Sequence, residues 1–110
     1  MHLPIELLAP AGSPEAARAA VQNGADAIYL GGKQFSARQY ANNFGDEELL
    51  EILRYCRIYG VKVYVTVNTL VHDEELDRAL EYLHFLYNAG VDAVIMQDTG
   101  LMRCTARLIP

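Results

Sequence analysis

The sequence is short of the residues that most often announce chemistry. In 110 residues it holds two cysteines, three histidines and no tryptophan. Two cysteines, Cys56 and Cys104, cannot staple a disulfide scaffold and lack the paired spacing of a zinc or iron–sulfur site, so a reducing, cytoplasmic setting is expected. Basic residues are scarce as well: nine Lys and Arg stand against fourteen Asp and Glu, a formal charge of −5. That balance argues against a nucleic-acid or anionic-membrane footprint spread over the segment's own surface; such a partner needs basic residues from elsewhere. No apolar run approaches the roughly 20 residues of a membrane-spanning helix, and no charged-then-apolar leader opens the chain.

What is present is core-forming material. Hydrophobic residues make up 52% and charged residues 21%, enough for one packed domain and without the composition of a disordered segment. An internal repeat organises it. In Gly24-Ala25-Asp26-Ala27-Ile28-Tyr29-Leu30, Gly60-Val61-Lys62-Val63-Tyr64-Val65-Thr66 and Gly90-Val91-Asp92-Ala93-Val94-Ile95-Met96, a helix-ending glycine leads at once into a β-rich apolar run. A further strand, Ile5 to Ala9, opens the chain. Helix starts are predicted at Ser13 before Pro14, at Asp46 before Glu47-Glu48, and at Asp73 before Glu74-Glu75. Leu49, Ile52, Leu53 and Cys56 form the buried stripe of one helix; Leu76, Ala79, Leu80, Leu83 and Leu86 form that of the next. A last short helix is expected from about Gly100 to Leu108.

The element order is β-α-β-α-β-α-β-α, an α/β pattern of parallel strands covered by helices. A doubly wound open sheet and a (β/α)8 barrel both satisfy it, and periodicity does not choose between them. Units of roughly 30–36 residues fit a barrel of about 250 residues. Four strands do not close such a barrel, so residues 1–110 are read as its N-terminal part within a longer protein. The bare edges and open inner face then call for the missing half or a second copy of the chain.

In either architecture ligands bind at the carboxyl ends of the strands. The residues there are polar: Pro10-Ala11-Gly12-Ser13, then Gly31 through Arg38, then Asn68-Thr69, then Gln97-Asp98. The second loop runs to Gly45 and is long for a compact domain. Gly31 and Gly32 would admit a ligand close to the backbone, with Lys33, Ser36 and Arg38 available to an anion; a turn with solvated basic side chains is the alternative. The loop is no Walker motif, because Ala27 stands where the first glycine belongs and Gln34 where Ser or Thr belongs. Glu6, inside an apolar run, needs a polar surrounding or a basic partner, and a structural ion pair serves as well as catalysis. Asn68, Gln97 and Asp98 suit substrate orientation or a base, or equally strand-end turns. His72 reads as a surface residue beside a helix cap, His84 as solvated with Asp77, Glu81 and Asn88, and His2 as a terminal residue. Both cysteines read as core thiols. No nucleophile–base–acid triad and no metal-ligand cluster is recognisable, so the metal assignment is none.

Glu6-Leu7-Leu8-Ala9-Pro10-Ala11-Gly12, Gly24 through Gly32, Phe35-Ser36-Ala37-Arg38 and Asn42-Asn43-Phe44 together resemble the opening of the collagenase-like peptidase family U32. Val61 through Thr69 and Gly90 through Asp98 extend the resemblance over nearly the whole chain. It implies a (β/α)8 catalytic domain, a longer parent protein, and a four-cysteine 4Fe–4S site supplied later in the chain, to which Cys56 and Cys104 do not correspond. This segment itself is expected to bind no cofactor. The family carries a peptidase label alongside oxygen-independent hydroxylation of RNA bases or of a ubiquinone precursor, with prephenate the implied hydroxyl source in the RNA branch. The absence of a nucleophile–base pair favours the hydroxylase reading, and the phrase Phe35 to Phe44 resembles the RNA branches. The expected site joins Glu6, Tyr29, Arg38, Asn68, Gln97 and Asp98, with Arg38 on an anionic group of an RNA or peptide substrate. A fragment acting only as an assembly unit is the remaining alternative.

Overall fold

The computed structural model describes residues 5–32, 44–67, 76–96, 102, 103, 105 and 106. Its elements are β1 (Leu8–Pro10), α1 (Pro14–Gln22), β2 (Ala27–Gly31), α2 (Asp46–Tyr59), β3 (Lys62–Val67), α3 (Leu76–Ala89) and β4 (Ala93–Met96). Met102, Arg103, Thr105 and Ala106 are helical, within the range expected for a last helix. The four strands are all parallel and lie in the order β1-β2-β3-β4.

The repeated glycines close the helices in one way each time. Ala25, Val61 and Val91 donate their N–H groups to the carbonyls of Ala20, Cys56 and Leu86, five residues back; Gly24, Gly60 and Gly90 donate to Val21, Arg57 and Tyr87, three back. This is the paired closure that satisfies orphan carbonyls at a helix end, and it needs the left-handed backbone found here, with φ of 95°, 71° and 90°. The chain therefore leaves each helix at the same angle and enters a strand two or three residues later. At the helix starts, Ser13 Oγ accepts from Ala16 N–H at 3.1 Å, with Pro14 behind it. The second start differs from expectation by one residue. Gly45 is the cap and Asp46 the first helical residue, because Glu48 turns back to accept the Gly45 N–H at 3.1 Å.

Burial is one-sided. Ile28 and Leu30 of β2 and Val63, Val65 and Val67 of β3 share a single core with Ala17 and Val21 of α1, with Leu49, Ile52, Leu53 and Cys56 of α2, and with Ala79, Tyr82, Leu83 and Leu86 of α3. The alternate strand residues, Tyr29, Tyr64, Thr66 and Ile95, lie outside it. Parallel strands are joined by right-handed crossovers, and an order that never reverses sends every crossover helix to the same side. No switch point of a doubly wound sheet occurs among the described strands. The predicted α2 stripe is buried as read. In α3, Leu76 and Leu80 are only half-buried, and Tyr82, which the aliphatic pattern passes over, is buried in their place. Full burial of one such aliphatic side chain is worth about 1.5–3 kcal/mol, which is what holds each helix to the sheet.

The first strand is shorter and later than expected. Asp26 takes the Leu7 N–H on its carboxylate at 2.8 Å while its own N–H donates to Leu7 O, so the ladder starts at Leu8. Ala27, the first residue of β2, also donates its N–H to Leu7 O at 3.2 Å. Pro10, which has no N–H, ends this edge strand, where a missing ladder donor is tolerated. Asp92 repeats the arrangement at β4: its carboxylate accepts from Val63 N–H at 2.8 Å, and its N–H donates to Val63 O.

Replacing Asp92 with alanine leaves the part-buried Val63 N–H without its acceptor, and a cost of about 1 kcal/mol is expected, read as a lowered urea midpoint. Asp26→Ala, at an exposed bond, should cost less. Equal midpoints for Asp92→Ala and wild type would remove the clamp from the stability account.

Cys56 is fully buried, and burial, with Asp92 adding repulsion, pushes its thiol from 9.0 up to about 11. The raised folded value means the folded state holds this proton longer than the unfolded chain. Its contribution to stability is complete below pH 9 and fades as pH climbs to about 11. Chemical denaturation at pH 8, 9.5 and 11 should show a decline that is shallower in Cys56→Ala; parallel curves would contradict the linkage.

Candidate functional site

The sheet face away from the helices is the only one on which ligand-directed strand residues can stand, because the other is filled by core side chains. Register places Pro10, Tyr29 and Tyr64 in one row across β1, β2 and β3, and Gly31, Thr66 and Ile95 in a row nearer the carboxyl ends. Thr66 Oγ1 donates to Leu30 O at 3.3 Å beside Gly31. Leu8 and Ile95, on the two edge strands, are 42% and 41% exposed, so this face is apolar at its margins and polar along its centre.

Glu6 shares that face but at the opposite end. Tyr64 donates its hydroxyl to Glu6 Oε1 at 2.6 Å, and Lys62 Nζ stands 3.5 Å from Oε2. The bond to the Glu6 carboxylate holds the Tyr64 phenol above its usual range. Both partners belong to β3, while Glu6 leads into β1, so the contact crosses over β2. Ala27, paired in the register with Leu8 on one side and Lys62 on the other, is wholly buried although it is absent from the helix-side core. The ion pair is exposed and contributes about 0–1 kcal/mol; its effect is to join non-adjacent strands across one face. The basic partner that the sequence required for Glu6 is thus Lys62, and the carboxylate lies before β1 rather than within it.

Gly32 has a reason of its own. It continues the strand toward the helix layer, and a side-chain carbon there would overlap the Tyr82 hydroxyl and come within 2.9 Å of Tyr82 Cζ. The close approach read for the Gly31-Gly32 pair exists, and a side chain of α3 makes it. Gly32 bridges to Phe44, which is buried, and Phe44 N–H donates to Gly31 O at 3.0 Å. Burial, followed by repulsion from Asp46, pushes the Tyr82 phenol up to about 12.

Of the residues predicted for the site, the structure places Tyr29, Gly31 and Gly32 at or near the carboxyl end of β2 and Glu6 at the amino end of the sheet. Lys33, Ser36, Arg38, Asn68, Gln97 and Asp98 lie outside the described residues, as do His2, His72, Asp73 and Cys104. His84, Asp77, Glu81 and Asn88 are exposed together on α3, as expected. Lys62, Tyr64 and Thr66 were not singled out by the sequence reading. Their signal is the strict alternation Lys62-Val63-Tyr64-Val65-Thr66-Val67, which marks one polar-facing and one core-facing side of a strand. Among the described residues no group of three or more His, Cys, Asp and Glu could hold a metal ion, and no helix is long and apolar enough to cross a membrane.

Comparison with known proteins supplies the family. The chain is 44% identical over 98 residues to the 23S rRNA 5-hydroxycytidine C2501 synthase of Escherichia coli, covering 89% of this chain and 15% of that protein. It is 40% identical over 105 residues to tRNA hydroxylation protein P1 of Bacillus subtilis, covering 96% of this chain and 25% of the relative. It is also 40% identical over 99 residues to a protein named collagenase from Porphyromonas gingivalis, covering 88% of this chain and 24% of the relative. The chain thus spans between about one seventh and one quarter of the length of these relatives. No solved structure matches it significantly. The sequence profile described as peptidase family U32 matches residues 12–110, and the chain belongs to that family.

Proposed function

We propose that residues 1–110 form the first part of a (β/α)8 barrel in an enzyme that hydroxylates a base of tRNA or rRNA without oxygen. The observation that carries the architecture is one-sided burial: three helices on one face of a parallel sheet, with the other face open and bridged by the Glu6–Tyr64 contact over Ala27. Further strands of a longer protein would cover that face and pair with β1 and β4, in keeping with the small share of each relative that the chain spans. A second copy of the chain is the other way to cover it. The RNA substrate is supported by relatives named for rRNA and tRNA hydroxylation.

In this reading substrate meets the carboxyl ends of the strands. Tyr29 and Thr66 line the face below that rim, and Gly31, having no side chain, leaves space between them. Arg38 holds an anionic group, and Asn68, Gln97 and Asp98 orient the substrate. The acidic segment leaves most of the RNA contact to basic residues elsewhere in the protein. A 4Fe–4S cluster belongs to the reading as well, but the described residues do not fit it. Cys56 is enclosed in the core and its thiol is driven away from the thiolate that a cluster requires. Its ligands come from cysteines elsewhere, and no chemical step is assigned to it.

Arg38→Ala in the full-length protein should reduce turnover by about 10²-fold with little change in melting temperature; a loss of folding that accounts for all the lost activity would refute the role. Nucleoside analysis of tRNA and rRNA from a deletion strain should lack one hydroxylated base, restored by the wild-type gene. An unchanged RNA profile, with peptide cleavage by the purified protein, would instead support the activity named for the collagenase relative. Sedimentation of the isolated 110-residue chain separates the two ways of covering the face, since a well-folded monomer contradicts obligatory pairing of two copies.

A further inference from the structure

The carboxyl end of β2 is fixed by a residue that no strand contributes. Tyr82 projects from α3, the helix after β3, and reaches Gly32 at the end of β2, one strand further back. Its ring is buried, 7% exposed, and lies nearly parallel to that of Phe85 with centroids 6.2 Å apart. A cleft of about 310 Å³ lined by Asp46, Arg78, Glu81, Tyr82 and Phe85 adjoins it. The phenol lies against the Gly32 backbone, in the space a side chain at position 32 would take. Gly32 is also the point of the bridge to Phe44, and the adjacent Gly31 carbonyl accepts the Phe44 N–H. Displacing the phenol or the glycine displaces the strand end and this bridge together, because a close-packed interior transmits such shifts rather than absorbing them.

We propose that Tyr82 is a positioning residue for the substrate rim: wedged beneath Gly32, it sets the height of the carboxyl end of β2 relative to α3. The proposal rests on the reading of that rim as the substrate site. Tyr82 acts on the rim through Gly32 rather than by touching substrate. Glycine at position 32 and tyrosine at position 82 are then one unit, and changing either is felt through the other.

The test uses the full-length protein with Gly32→Ala, Tyr82→Leu and the two combined. Gly32→Ala places a methyl where the Tyr82 hydroxyl stands, and kcat/KM for RNA hydroxylation is expected to drop by about tenfold or more. Tyr82→Leu removes both the overlapping oxygen and the ring carbon beneath it, so the double variant should recover part of the loss seen in Gly32→Ala. Hydrogen exchange of the Phe44 amide, which donates to Gly31, is read in parallel. Protection should fall in Gly32→Ala and return in part in the double variant whether or not RNA is the substrate. Unchanged Phe44 protection in Gly32→Ala, or a double variant no better than Gly32→Ala in either measurement, overturns the proposal. Coupled protection in a wild-type protein that leaves RNA unmodified refutes the substrate reading and keeps the mechanical link. Coupled protection with hydroxylation of RNA unaltered by Gly32→Ala overturns the positioning role itself.

Discussion

The rest of the structure depends on the restriction of apolar burial to one face of a parallel sheet. Val63, Val65 and Val67 bring three successive core-facing side chains to one side of β3, and the three helices converge on that side with Ile28 and Leu30 of β2. A strand exposes alternate residues to opposite faces, so this commitment leaves Lys62, Tyr64 and Thr66 on the other. The helix-ending glycines make the pattern repeat. Each sends the chain from helix to strand through the same pair of backbone hydrogen bonds, and each crossover therefore advances the sheet by one strand in the same direction.

The face without helices has an order of its own. At the amino end the Glu6, Lys62 and Tyr64 side chains meet over Ala27, and toward the carboxyl end Tyr29, Gly31 and Thr66 border an open surface. The two ends differ in their furnishing: an ion pair and tight backbone clamps from Asp26 and Asp92 at one, Tyr29, Thr66 and glycine at the other. Relatives share extended similarity through this segment while carrying names that span rRNA hydroxylation, tRNA hydroxylation and collagenase, as expected where one fold hosts more than one activity.

Much of the architecture was legible because its causes are local. A left-handed glycine after a helix, a serine before Pro14, and the four-residue stripe Leu49, Ile52, Leu53 and Cys56 each depend on neighbours within a turn or two, and each stands where the pattern puts it. The start of α2 was misplaced by one residue because Gly45 can cap a helix with backbone alone once Glu48 returns to its N–H. The candidate site was less legible. Glu6 was marked as a carboxylate in need of a partner, but its partners lie 56 and 58 residues away.

The sequence by itself determined the order of elements, the glycine-closed repeat and the family, since periodicity, capping and motif are properties of short stretches of chain. It took the three-dimensional packing to show that all three helices share one face, that Glu6 meets Lys62 and Tyr64 across β2, and that Tyr82 occupies the space of the side chain Gly32 lacks. These are contacts between residues far apart in the chain. Which of them form is set by how the strands register and where the helices pack, and no local pattern encodes that.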